Sequence, residues 1–273
     1  MVTVQQQIDA GDLQAALAQL SGEVKEHPTD DRRRTLLFEL LSFAGDWDRA
    51  ERQLDILAQE SVKVDVGAQI YRNNIKAERD RGRLFSEGLT PHFLIDPPNY
   101  VGLHLDAINR IRDDKFNGAR ELLDRAEEEQ PACEGTLNDE QFLDFRDYND
   151  ITGPVLELII TDRYYWVPLE QVKVLGIERP KRLRDLLWAT ARIETTSGTV
   201  GEAFIPALYP GSHNHSDQQI KLGRKTDWNQ IGEGLYTGAG LKLFLVDDRD
   251  RSLFEIRTVQ FGNIDFTTAP LPM

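Results

Sequence analysis

Cysteine is nearly absent from this 273-residue sequence. Cys133 stands alone, so no intrachain disulfide can form and the chain is expected in a reducing compartment, the cytoplasm. Long apolar runs are also missing. No stretch approaches the ~18 residues of a membrane span, and residues 1–7 lack the charged-then-apolar pattern of a signal peptide. No membrane is therefore expected as a partner. Nor is there an excess of basic charge: 32 Lys and Arg face 46 Asp and Glu, a net charge of −14. A nucleic-acid binder carries a basic footprint, so no nucleic acid is expected either. The acid is concentrated in residues 1–140, with 17 basic against 28 acidic side chains, compared with 15 against 18 in the rest. Such a surface attracts a basic or amphipathic partner at long range, and it serves solubility equally well.

The common catalytic signatures are missing too. Gly232-x-Gly234 and Gly238-x-Gly240 precede a strand pattern, whereas a dinucleotide fingerprint needs a strand before it and a helix after it. Residues 222–226 lack P-loop spacing. Asp247 to Asp250 lacks the glycine and terminal glutamate of a calcium loop. There is no Gly-x-Ser-x-Gly elbow, and Cys133 lies among acids that would not activate a thiol. His213 and His215 are the one tempting pair, because side chains at i and i+2 of a strand share a face and can share a metal. Tyr209-Pro210-Gly211 just before them marks a loop, which favours an exposed polar segment.

What is present is a repeat. Gly11-Asp12-Leu13 leads to Ala16, and Gly45-Asp46-Trp47 leads to Ala50, 34 residues later. Asp114-Lys115-Phe116 leading to Ala119 is a third copy about two periods on. That period belongs to tetratricopeptide-like helical hairpins, which bury their apolar faces only by stacking. The small alanine permits close helix approach while Leu13, Trp47 or Phe116 fills the adjacent gap. Capping residues at Thr3, Asp12, Asp30 and Asp46 predict the helix starts. One long polar helix is expected over 66–86, with a degenerate repeat turn near Gly82. Helical spacing resumes from Val101 to Ile111 and from Phe116 to Ala126. Residues 131–141 read as a linker.

From about residue 142 the pattern changes to period two with turn signals, giving about six short strands. A hairpin is expected around Thr161-Asp162-Arg163, a short helix over 169–175, and a second hairpin turn at 247–251. The expected fold is thus α+β in two domains. Residues 1–137 form a tetratricopeptide-like α-α superhelix. Residues 138–273 form a β-rich domain with a small bent antiparallel sheet or open barrel.

This second half repeats a chemical grammar of Arg and Asp near Trp. Arg146-Asp147 leads to Trp166, Arg184-Asp185 to Trp188, and Arg224 to Asp227-Trp228. An Arg fork binds a carboxylate and stacks on an indole. The groups are readable as a recognition surface or as buried ion pairs that fix a small β-domain. In the helical half, Arg33, Arg34 and Arg72 are further candidates for reading a partner's carboxylates.

The ordered words Phe145-Arg146-Asp147-Tyr148-Asn149-Asp150, Gly153-Pro154-Val155-Leu156-Glu157, Tyr164-Tyr165-Trp166-Val167-Pro168, Leu183 to Trp188, Leu208 to Ser212 and Leu222 to Trp228 resemble the ImpE family. That family, also called TagJ, comprises accessory proteins of bacterial type VI secretion loci. Asn149 stands where an acid is common in the family. The resemblance implies a cytoplasmic, non-enzymatic adaptor without catalytic residues, cofactor or metal. It also implies partnership with the small subunit of the contractile sheath and with the AAA+ ATPase that disassembles the sheath. A groove of the helical half is expected to receive an amphipathic helix whose apolar stripe is edged by Lys or Arg. The competing readings are a metal-dependent hydrolase using His213, His215 and nearby acids, and a structural assembly factor that forms a homodimer through its β-rich half.

Overall fold

A computed structural model describes residues 2–59 and 62–262. Seven helices come first: α1 (Val4–Ala10), α2 (Leu13–Glu26), α3 (Asp31–Phe43), α4 (Trp47–Ala58), α5 (Val62–Glu87), α6 (Asn99–Arg112) and α7 (Phe116–Glu129). Their starts follow the capping chemistry. Thr3 forms a reciprocal capping box with Gln6, and Asp12, Asp30 and Asp46 accept from the backbone N–H groups of Ala15, Arg33 and Arg49. The repeat is visible in conformation. Gly11, Gly45 and Asp114 all adopt left-handed backbone, at φ 79°, 69° and 58°, and Ala16, Ala50 and Ala119 are all fully buried.

Two expectations about the helical part are corrected. No repeat turn forms at Gly82, because α5 runs unbroken through it; a single glycine among good helix formers weakens a helix without ending it. Residues 131–141 are not a free linker. Gly135–Leu137 and Glu140–Phe142 are strands β1 and β2, and Leu137 is buried. No helix among the described residues is long and apolar enough to cross a membrane.

The β-rich part then adds β3 (Phe145–Asp147), β4 (Val155–Ile160), β5 (Arg163–Pro168), β6 (Val172–Ile177), β7 (Trp188–Thr195) and β8 (Val200–Pro206). After a short helix α8 (Gln218–Lys221) follow β9 (Thr226–Gly232), β10 (Leu235–Gly240), β11 (Leu243–Val246), β12 (Arg249–Ser252) and β13 (Thr258–Phe261). The strands are more numerous than the six expected. They form an antiparallel eight-stranded sheet in the order β2-β1-β13-β6-β7-β8-β4-β5, a three-stranded sheet β12-β11-β3, and the hairpin β9-β10. Among the described residues the end strands β2 and β5 of the large sheet do not pair, so it does not close into a barrel. The expected helix over 169–175 is only a 3-10 turn at Leu169–Gln171, after which Val172 enters β6. The second hairpin turn narrows to Asp247-Asp248, with Arg249 to Ser252 already in a strand.

The large sheet is buried on both faces. In β4, Val155 and Ile159 join a core shared with Leu20, Phe38, Leu41 and Leu54 of the helices. Leu156 and Leu158 point into a second core with Val167, Ile193, Ile205 and Phe244. A strand covered on both sides reads as an unbroken apolar run instead of an alternation, which is why Val155-Leu156-Glu157-Leu158-Ile159-Ile160 looks as it does. The turn ends of the first two repeats also press on the β-rich part. A Cβ on Gly11 would fall within 2.4 Å of the Gln219 side-chain carbon Cδ, and one on Gly45 within 2.5 Å of His213. Arg224 and Gln219 donate to the carbonyls of Asp9 and Ala10. The helices and the sheet therefore share buried surface.

Ala50→Leu adds volume where α4 meets its neighbours without a gap. It is expected to lower the unfolding free energy by about 1–3 kcal/mol, read as a lower urea midpoint with an unchanged slope.

Candidate functional site

The polar helix α5 carries its most consequential side chain inward. Arg81 is almost wholly buried and donates to both oxygens of Glu157, from Nε at 2.7 Å and Nη2 at 3.1 Å. Its Nη2 also donates to the Leu208 carbonyl. Glu157 faces the helices because it lies between Val155 and Ile159 on one side of β4. Lys242, equally buried, places Nζ 2.5 Å from Glu157 and 2.7 Å from Asp147. The hydroxyls complete the arrangement. Tyr164 donates to Glu157, and Trp166 Nε1 donates to Tyr164. Tyr209 and Thr152 donate to Asp147, and Trp188 Nε1 donates to Glu78, which also pairs with Arg81.

Burial alone would raise the Glu157 carboxyl, but Arg81 and Lys242 outweigh it and hold the group far below the usual carboxylate range. Burial likewise opposes the charge on Arg81 and on Lys242, and the carboxylates beside them restore it. Every member of this hub is paired with another. It offers no free base or nucleophile, and what it does is fasten α5 to β4 and to the segment after β8. Burial pushes the lone thiol of Cys133 up to about 12, with Asp144 and Glu170 adding to the effect, so it too is no nucleophile at neutral pH.

Immediately beside the hub, the next residue of α5 opens a groove of about 1000 Å³. One wall is helical, with Trp47, Phe85, Ile108 and Ile111. The other is formed by Ile151, Ile231 and Ala239 with the segment Pro210 to His215, so this groove lies between the helices and the β-rich part and not within the helical half as expected. Gly82 leaves a gap in the helical wall, since a Cβ there would meet nothing within 4 Å. Arg79 and Arg83 line the edge. Arg79 is held by Asp48 and Glu51, and Arg83 by Asp80 and Glu87.

His213 and His215 both line this groove, but not as a strand pair. Ser212–Asn214 is a 3-10 turn. His213 packs edge-on against Trp47 at 6.3 Å, and burial lowers its pKa, with Lys221 and Arg81 adding to the effect. His215 Nδ1 accepts from the Asp217 backbone, and its Nε2 lies 3.3 Å from Asp227. The two rings thus serve different neighbours. Among the described residues no group of three His, Cys, Asp or Glu side chains is placed to hold a metal.

The Arg, Asp and Trp groups do not act as local units. Trp166 and Trp188 lie in the interior, where Trp188 stacks near Phe38, Tyr71 and Trp47. Arg184 crosses to the helices, where it pairs with the buried Glu39 at 2.6 Å and lies over the Tyr71 ring. Burial raises Glu39 even against Arg184. Asp147 takes Lys242 in place of Arg146, which reaches only to Glu127 at 3.8 Å. Arg224 holds the Asp9 carbonyl, and Trp228 packs on Tyr148 and Tyr209. Arg33 is spent on Glu23 and Asp30, Arg34 on Gln53 and the Pro28 carbonyl, and Arg72 on Asp55 and Asp65. Sequence reasoning missed Arg81, Glu157 and Lys242. The available signal was a charged residue inside the apolar run of β4, which demands a buried counter-charge.

The ImpE protein family matches residues 139–260. The type VI secretion system accessory component TagJ of Pseudomonas aeruginosa is 32% identical over 256 residues, covering 94% of this chain and 90% of that protein. An X-ray crystal structure of a protein from Vibrio parahaemolyticus superposes with a TM-score of 0.88 at 26% identity, covering 96% of this chain and 98% of the other.

Glu157→Gln strips the carboxylate from two buried cations. It is expected to cost about 3–5 kcal/mol in urea unfolding. His104, buried on α6, gives a pH signature. Burial lowers it to about 4, the Ile151 carbonyl working against that and Arg120 with it. Between about 6.5 and about 4 the unfolded chain takes up a proton that the native state refuses, so stability falls as the pH falls. Its contribution is complete above about 6.5, and about 3 kcal/mol of it is gone by pH 4. Melting temperatures across that range should fall steeply for the native sequence and less so for His104→Gln.

Proposed function

The chain belongs to the ImpE family of type VI secretion accessory proteins, and from that premise we propose that it is a non-enzymatic, cytoplasmic adaptor whose groove receives an amphipathic helix of the small contractile-sheath subunit. The observation that carries this reading is the groove itself. Its floor is apolar and its volume suits about two turns of helix. The partner's apolar face covers Trp47, Phe85, Ile108 and Ile231. Its flanking Lys or Arg residues meet Asp48 and Glu87, exposed carboxylates that pair with the lining Arg79 and Arg83. The adaptor then presents the subunit to the AAA+ ATPase that disassembles the sheath. The kinship with TagJ, an accessory component by name, supports this role.

Gly82→Phe tests it in the full-length chain. The new side chain enters open space, so the fold should keep its melting temperature to within a few degrees. Capture of the small sheath subunit should weaken by at least about tenfold. A folded Gly82→Phe protein that binds the subunit as well as the native chain overturns the groove as the docking site.

A further inference from the structure

A second cavity, of about 190 Å³, lies beyond the loop 147–154 from the groove, between α6, α7 and β3. It has room for about six waters. Three of its lining groups have hydrogen-bonding capacity left over. The first is His104, 4% exposed. Its Nδ1 stands 2.8 Å from the Ile151 carbonyl oxygen. A carbonyl only accepts, so Nδ1 carries the proton and Nε2 is a bare acceptor. That Nε2 is buried and meets no donor among the described residues. A buried acceptor left in this state is unfavourable unless something fills it. The second group is Arg146, whose side chain is 43% exposed and whose one ion pair, to Glu127, is 3.8 Å long. The third is Arg120, whose Nε donates to Asp124 and whose Nη1 donates to the Gly234 carbonyl, while the Asp150 carboxylate stands 3.9 Å away and Nη2 keeps its donors for the cavity. Both pairs feel each other's charge, yet both are too long for a hydrogen bond.

The electrostatics narrow the ligand. The cavity is lined by Glu127, Asp147 and Asp150 as well as by Arg120 and Arg146; Asp147 is taken by Lys242, and the Arg120 charge disfavours a cation at the His104 ring, so a neutral donor suits Nε2. Arg120 and Arg146 are both fork-shaped donors that match a carboxylate. We propose that this cavity binds a carboxylate bearing a neutral N–H or O–H donor on the adjacent carbon. The carboxylate takes Arg120 and Arg146, and the donor takes His104 Nε2. An α-hydroxy acid has this chemistry, and so does the last residue of a peptide chain, through its amide N–H and terminal carboxylate. The site is separate from the groove and does not depend on what the groove binds.

Titration of the full-length protein with lactate, N-acetylglycine and propionate tests the proposal by calorimetry and by the nitrogen resonances of His104. Lactate or N-acetylglycine should bind saturably and shift Nε2. Propionate, which has the carboxylate without the donor, should bind at least about tenfold more weakly. Arg146→Gln, at the exposed mouth, should weaken binding by a similar factor with its melting temperature unchanged. Preference for N-acetylglycine marks a chain terminus as the occupant, and preference for lactate marks a free acid. No saturable binding, equal binding of propionate, or full binding by Arg146→Gln overturns the proposal.

Discussion

Glu157 is the pivot of this molecule. A carboxylate in the middle of a strand that is covered on both faces is tolerated only if charge and hydrogen bonds surround it completely. Here they arrive from three directions: Arg81 from helix α5, Lys242 from the segment before β11, and Tyr164 from the neighbouring strand. Because these partners belong to distant parts of the chain, satisfying one carboxylate fixes the position of helices, large sheet and small sheet together. An apolar residue at 157 would have filled the space with no such demand for direction. The ionic hub therefore specifies arrangement more than it adds stability. Arg184 on Glu39 makes a second buried link between the β-rich part and the helices.

This fastening places the groove. Arg81 and Gly82 are consecutive on α5, so the residue that ties the helix to the sheet stands next to the residue that opens the cleft. The opposite wall leans on the same hub, since Leu208 accepts from Arg81 and Tyr209 donates to Asp147. Gly238 lets the β10 backbone close on the Tyr209 ring, where a Cβ would stand 2.4 Å away. The cleft is thus held open by rigid elements on both sides, the property a docking site needs in order to spend little binding energy on ordering.

Much of the helical half could be read from residues alone, because its determinants are local. The left-handed Gly11 and Gly45, the capping aspartates and the buried alanines act within a few positions of one another. The β-rich half was legible only in class. Strands buried on both faces lose the alternation that betrays them, and Gly135–Leu137 was hidden because its reason for being a strand is β13, more than a hundred residues away. The hub was hidden for the same reason. Arg81 and Lys242 reach Glu157 from opposite sides of the sequence, and a polar stretch such as Arg72 to Arg83 looks like a solvated helix until its partner is known. The family words from Phe145 to Trp228 pointed to relatives without showing which residues fold inward.

The segment between α5 and α6 has one further effect. His92 runs parallel to β5, donating to the Tyr164 carbonyl and accepting from the Trp166 amide. The rim of the large sheet is thereby occupied over its central residues by the chain's own backbone. At the far rim, β2 is only three residues long and carries Glu140 and Gln141 outward. Among the described residues, neither flank presents a long bare row of amides and carbonyls to a stray strand. An eight-stranded sheet guarded in this way resists edge-to-edge pairing with a second copy.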